Sequence, residues 1–141
     1  MSVVVKRVYD PPSSGDGVRV LVDRLWPRGL KKEDAAVKFW LRDLAPSNEL
    51  RQWFHSNLEA WPMFRKRYLK ELANPKAAAA LEKLYGLAGE KRNVTLLYAS
   101  RNIELNNATV LKELLEGKPK PPSSVGRAAA ASGRIRKAKR Q

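Results

Sequence analysis

Apolar residues along the chain fall into two kinds of run. The β-branched runs at 3–8 (Val-Val-Val-Lys-Arg-Val) and 18–22 (Val-Arg-Val-Leu-Val) have the composition of strands. A third run at 94–98 (Val-Thr-Leu-Leu-Tyr) is bounded by polar residues and reads as a central strand buried on both faces. Helical spacing appears elsewhere. Trp61, Phe64, Tyr68, Leu69 and Leu72 recur on one face, while Arg65, Lys66 and Lys70 mark the wet one. Asn74-Pro75 ends that helix and opens the next, with Asn74 as N-cap and Pro75 at the first helical position. The second helix carries a narrow stripe of Ala77, Ala80, Leu81, Leu84 and Ala88, and Gly86 and Gly89 loosen its end.

Three shorter segments complete the pattern. Ser47 is a good N-cap, with Glu49 close behind, for a helix over 48–55. Residues 35–41 read as a short strand in preference to a helical turn. The chain then closes with a helix over 104–115, Leu105, Ala108, Leu111 and Leu115 facing inward and Gly117 ending it, so that 99–103 is a short strand-to-helix turn. Residues 10–17 (Asp-Pro-Pro-Ser-Ser-Gly-Asp-Gly) are a loop dense in turn formers. The two strands on either side of it either pair as a hairpin or flank a third. Strands interleaved with helices predict an α/β fold, a small layered domain with a short, largely parallel central sheet flanked by helices. No internal repeat is found.

Composition narrows the function classes. At 141 residues and 43% hydrophobic, the chain reads as one domain able to bury a core. It has no cysteine, which excludes disulfides, thiolate catalysis and zinc–sulfur sites. Its single histidine, His55, excludes a multi-histidine metal site and reads as a surface or helix-terminal residue. No tight carboxylate cluster, metal site or cofactor motif is expected, and Gly15-Asp-Gly17 precedes a strand, so it is a turn and not a nucleotide fingerprint. The absence of a signal pattern and of a long apolar run leads to the expectation of a cytoplasmic protein with no membrane partner.

Charge divides the chain in two. Of the net +14, +8 belongs to residues 118–141, where Lys118, Lys120, Arg127, Arg134, Arg136, Lys137, Lys139 and Arg140 occur without an acid. That Pro-, Ala- and Gly-rich tail cannot bury a core and is expected to be disordered, leaving 1–117 as the α/β domain. Eight bases can neutralise nucleic-acid phosphates, with a salt slope of at most about −7. With no aromatic residue for stacking, such binding is non-specific. The alternative is a tail that only solubilises.

Two strand ends carry candidate chemistry. The run at 18–22 passes directly into Asp23, Arg24, Trp26, Pro27, Arg28 and Gly29. Arginine forks suit phosphate or carboxylate, and Asp23 could orient one of them or act as an acid or base. The same residues could instead form an internal ion pair locking a Trp26-Pro27 turn. After Tyr98, the turn carries Ser100, Arg101 and Asn102, which could bind a ligand at the start of a helix, or Asn102 could simply cap that helix. If the two strands are neighbours, the two turns meet at one sheet edge and suit an anionic, phosphate-bearing small molecule. Enzymatic action on a small phosphorylated or nucleotide-like substrate, with Asp23 as acid or base and Arg24 and Arg28 holding charge, is the second reading. A structural or adaptor role is the third. Trp40, Trp53 and Trp61 read as core.

The blocks Val22-Asp-Arg-Leu-Trp-Pro-Arg-Gly29, Trp40-Leu-Arg-Asp-Leu-Ala-Pro-Ser47, Trp53-Phe54, Phe64 with Tyr68, and Thr95-Leu-Leu-Tyr98 followed by Asn106-Asn107-Ala108 resemble the YeaO-like branch of a bacterial and archaeal domain family of unknown function. The resemblance spans roughly residues 3–116 and leaves the tail outside it. It implies a compact α/β domain and carries no established activity or cofactor. Longer relatives in that family carry a cysteine where this chain has Tyr98 and a Cys-His-Arg motif where it has Asn106-Asn107-Ala108. An acidic residue of their turn corresponds to Asn102 here. The resemblance therefore implies that this chain lacks any thiol chemistry those relatives perform.

Overall fold

A computed structural model describes residues 2–89 and 93–117. The expectations for the tail at 118–141 lie outside the described residues. Four strands, β1 (Ser2–Arg7), β2 (Val18–Leu21), β3 (Phe39–Trp40) and β4 (Asn93–Tyr98), form one sheet in the order β1-β4-β2-β3. Every pairing is parallel. The first two strands therefore flank β4 instead of forming a hairpin. β4 takes the interior because it has no solvent-facing side to offer: Val94, Thr95, Leu96, Leu97 and Tyr98 are all buried.

The pleat sends alternate side chains into two separate cores. Val3, Val20, Val22, Val94, Leu96 and Tyr98 join the larger one. It is covered by α2 (Asn48–His55), α3 (Trp61–Glu71), α4 (Pro75–Ala88) and α5 (Asn107–Leu115). Val8, Leu21 and Leu97 face the other way, into a small cluster with Ala35, closed by Trp26, Leu30, Val37 and Trp40. Among the described residues the α-helix on that side is the single turn α1 (Lys32–Ala35), and loop covers the rest of this face. Trp26 and Trp40 meet edge to face with ring centroids 5.5 Å apart and lend the thin layer its bulk.

The second face also holds a buried charge cluster. Arg19 is 4% exposed and Asp16 6%, and Nη1 of Arg19 donates to the Asp16 carboxylate at 2.6 Å. Lys6 donates to the same carboxylate at 3.1 Å, and Thr95 Oγ1 donates to the Asp16 carbonyl at 2.7 Å. Burial alone would raise the Asp16 carboxyl. Hydrogen bonds from the Ser13 backbone, Lys6, the Ser13 hydroxyl and Arg19 outweigh it and hold the group well below the usual carboxylate range. The cluster pins the 10–17 loop onto the sheet.

Helix boundaries follow the caps. Ser47 accepts from the Leu50 amide and Asn74 from the Lys76 amide, as their positions before α2 and α4 predict. Two expectations are corrected. Residues 35–41 do not form one strand: Ala36 is left-handed (φ 50°) after α1, and only Phe39 and Trp40 pair with β2. The last helix begins at Asn107 and not at residue 104, because Asn106 and Thr109 form a reciprocal capping box there. Trp40, Trp53 and Trp61 are half-buried rims of the cores, and His55 is exposed at the end of α2.

Candidate functional site

Because all four strands are parallel, their C-terminal ends open on the same edge. The exits of β1, β4 and β2 are neighbours there, and polar bonds tie them together. Arg7, at the end of β1, donates from Nε to the Ser100 carbonyl and from Nη2 to the Ala99 carbonyl, both at 3.0 Å. Its guanidinium also lies over the Tyr9 ring, 5.1 Å from the centroid. Asp23, just past β2, accepts from the Ala99 amide at 2.8 Å. Its other carboxylate oxygen accepts from the Asn107 side-chain amide at 3.2 Å, and the same amide nitrogen donates to the Val22 carbonyl at 2.9 Å. The two turns singled out in the sequence thus share a seam, with Asp23 as its clasp.

Burial raises the Asp23 carboxyl above its ordinary value, opposed by the Ala99 and Asn107 bonds and by the nearby Arg51 charge. Behind it lies Tyr68, whose hydroxyl donates to the Leu44 carbonyl. Burial raises that phenol well above its normal range, and the carboxylates of Asp23 and Glu71 add to the rise. Glu71 is itself occupied, accepting from the Ser47 amide at 2.8 Å and the Ser47 hydroxyl at 2.6 Å.

Arg24 is the unusual member. Its side chain is half-buried and turns toward the 44–46 loop, where Nη2 donates to the Ala45 carbonyl at 3.3 Å. Its Nε is shut away from solvent without a hydrogen-bond partner, alone among the described side-chain polar atoms in this respect. No carboxylate pairs with Arg24 among the described residues. The internal-ion-pair reading of the Asp23, Arg24 and Arg28 block is therefore not what the geometry displays. An unpartnered buried donor costs about 1–3 kcal/mol.

The remaining predicted residues disperse. Arg28 is exposed, and its backbone carbonyl accepts from the Tyr9 hydroxyl at 3.0 Å. Arg101 is exposed. Ser100 Oγ accepts from the Asn102 amide at 3.1 Å, and Asn102 Oδ1 accepts from the Glu104 and Leu105 amides at 3.1 and 2.9 Å. Ser100 and Asn102 therefore shape the 99–106 turn with their oxygens. Asn102 does not cap α5; Asn106 does, and its Nδ2 donates back to the Asn102 carbonyl at 2.9 Å. Sequence reasoning missed Arg7 and Asn107 as rim residues. A cation at a strand end and an Asn-Asn pair before an amphipathic helix were the available signals.

The family match decides the chain's affiliation. Residues 2–132 match the family described as the inactive DUF488-N3 subclade. The chain belongs to this family. The uncharacterized protein YeaO of Escherichia coli is 44% identical over 115 residues, covering 82% of this chain and 97% of its relative. Uncharacterized proteins of Mycobacterium bovis and Mycobacterium tuberculosis are each 44% identical over 116 residues, covering 82% of this chain and 95% of theirs. No solved structure matches the chain. The DUF488-N3 match continues past residue 116, where the resemblance was expected to stop, into the first part of the basic tail. No helix among the described residues is long and apolar enough to cross a membrane.

Three of the positions that carry the resemblance are engaged in local contacts. Tyr98 ends β4 in the larger core, where burial raises its phenol and a hydrogen bond from the Asn106 side chain opposes the rise. Asn106 caps α5, and Asn107 fastens Val22 and Asp23. In this chain all three act as structural ties.

Proposed function

We propose that this protein is a non-enzymatic binding domain for an anionic, phosphate-bearing ligand at the joined exits of β2 and β4. The observation that carries this reading is Arg24, a half-buried guanidinium with a buried, unpartnered Nε and no paired carboxylate among the described residues. A desolvated cation of this kind gains most from an anion that accepts bidentate bonds. Ser100, Arg101 and Asn102 border the same edge from the β4 side, and Arg28 adds positive potential from the outer turn. Asp23 serves as the clasp that sets this geometry. The family description of an inactive subclade supports a binding role over catalysis.

In this reading residues 1–117 are the ligand-binding unit, working in the cytoplasm. The tail at 118–141, with Lys118, Lys120, Arg127, Arg134, Arg136, Lys137, Lys139 and Arg140, adds non-specific affinity for nucleic acid. The test is thermal unfolding with inorganic phosphate at constant ionic strength. A ligand at 100 times its Kd stabilises by about 2.7 kcal/mol, a rise of several degrees for a domain of this size. Stabilisation is expected in the wild-type chain and lost in Arg24→Met. No stabilisation in either chain, with Arg28→Gln and Arg101→Gln equally silent, would favour the adaptor reading.

The second reading, catalysis on a small phosphorylated or nucleotide-like substrate, draws on one observation: the carboxyl of Asp23, raised by burial at the strand exit. It predicts a hydrolase or transferase activity abolished by Asp23→Asn. An unchanged activity in that variant removes Asp23 from any mechanism.

A further inference from the structure

The sheet has two outer strands, and they differ in kind. β3 is only two residues long, and cations lie over both of its rings: Lys83 Nζ is 4.9 Å from the Phe39 centroid, and the Arg42 guanidinium 4.5 Å from that of Trp40. A short, charge-flanked strand is a poor template for further pairing. β1 is the opposite case. It runs for six residues, pairs with β4 one residue to one without a bulge, and carries three consecutive valines. Lys6, a charge that would otherwise guard this edge, is paired with Asp16 at 3.1 Å.

The outer edge of β1 has a fixed phase. Val8 donates its amide to the Tyr98 carbonyl, so by the alternation of a parallel ladder Lys6, Val4 and Ser2 also turn their N–H and C=O groups to β4. Val3, Val5 and Arg7 turn theirs outward. Arg7 is closed off: its amide donates to Asp10 Oδ2 at 3.2 Å, and its carbonyl accepts from the Asp10 amide at 3.0 Å. The outward groups of Val3 and Val5 have no hydrogen-bond partner among the described residues. Between them, Val4 is 42% exposed.

We infer that β1 pairs antiparallel with β1 of a second copy of this chain, about a two-fold axis at Val4. In that register Val3 of each copy and Val5 of the other exchange both backbone bonds. The two Val4 residues form the intervening close pair, which covers both exposed side chains. Lys6 stands opposite Ser2, so no cation faces a cation. A shift by one residue would set outward groups against inward ones. A shift by two either calls on the Arg7 groups that Asp10 holds or sets Val4 against Ser2 and shortens the overlap. A strand that matches itself in this way meets the requirement of an isologous two-fold contact. The result is one continuous sheet across both copies, with their strand exits opening at opposite ends. β4 lies between this contact and β2, whose exit carries Arg24, so the inference is independent of the strand-exit ligand.

Sedimentation velocity of the full chain is the first test. Dimer is expected to grow with protein concentration between about 10 and about 500 µM. It should be lost in Val4→Lys, which sets two like charges together on the axis. Val4 is exposed, so that variant should keep the wild-type circular dichroism and melting temperature. The second test uses the absence of cysteine: Val4→Cys supplies a single thiol. The close pair of an antiparallel ladder has Cα atoms about 4.5 Å apart, inside the disulfide range. Mild oxidation should link Val4→Cys into a covalent dimer at least about tenfold faster than Leu58→Cys, an equally exposed position outside the sheet. A monomer throughout the concentration range would overturn the inference. A dimer that survives Val4→Lys, or equal oxidation rates in the two cysteine variants, would put the interface elsewhere and overturn it as well.

Discussion

At the scale of single residues, the carboxylates of Asp16 and Asp23 behave in opposite ways, and pH separates them. Asp16 is held below its ordinary value of 3.8 by Ser13, Lys6 and Arg19. Its ionised form therefore stabilises the fold above pH 3.8, and that contribution is lost as pH falls toward the folded value. Asp16→Asn should cost about 3 kcal/mol at neutral pH, since it strands Arg19, and should flatten the acid limb of a stability profile. Asp23 is raised, so its charge opposes folding. Stability should decline as pH rises from 3.8 through its folded value, and Asp23→Asn should remove that decline. Urea titrations of both variants between pH 2 and 7 check the two signs together.

Gly17 belongs at this scale too. It sits at φ 66°, and a β-carbon there would lie 2.1 Å from the Asn93 carbonyl oxygen. The close approach brings the 10–17 loop against the start of β4, which is how Thr95 reaches the Asp16 carbonyl. Gly17→Ala should cost at least about 2 kcal/mol in chemical denaturation, more than Gly15→Ala, where an added β-carbon meets nothing within 4 Å.

At the scale of elements, the caps carry the argument. Ser47 does double duty: its Oγ accepts from the Leu50 amide and donates to Glu71, joining the start of α2 to the end of α3. Ser47→Ala should therefore exceed the usual cap loss of about 1 kcal/mol, and Ser47→Asn should recover the cap alone. Both caps before α2 and α4 were legible in the sequence because Ser47 and Asn74 stand immediately ahead of helical patterns. The start of α5 was not. Leu105 fits the helical period, yet Asn102 binds the Glu104 and Leu105 amides in a turn and defers the helix to Asn107. A local side-chain bond to the backbone competed with periodicity and won. The 35–41 segment failed for a related reason. It has the composition of a strand, but β3 lies at the sheet edge and pairs only through Phe39 and Trp40.

At the scale of the whole molecule, the parallel sheet decides where function can be. Placing β4 between β1 and β2 brings the 23–30 and 99–106 segments to one edge, which the hydrophobic pattern of β4 foreshadowed. What the sequence could not reveal is the partition within the Asp23–Arg28 block. Chain proximity suggested one cluster, whereas Arg24 turns toward Ala45 and Arg28 lies in solvent near Tyr9. Charge is divided at this scale as well. In the proposed function the strand exits offer a small anion the half-buried guanidinium of Arg24, and the eight bases of 118–141 offer a nucleic acid non-specific charge. Raising salt from 50 to 200 mM should weaken the polyanion interaction by orders of magnitude and the strand-exit site far less, because a partly buried cation is screened less than exposed ones.

The strand-exit site is the centre of this account, and a backbone amide NMR titration of the full chain with inorganic phosphate, at constant ionic strength, tests it most directly. Saturable shifts are expected at Arg24, across 99–102 and at Asn107, and they should vanish in Arg24→Met. Shifts confined to the basic tail, or an unchanged response in Arg24→Met, would contradict it.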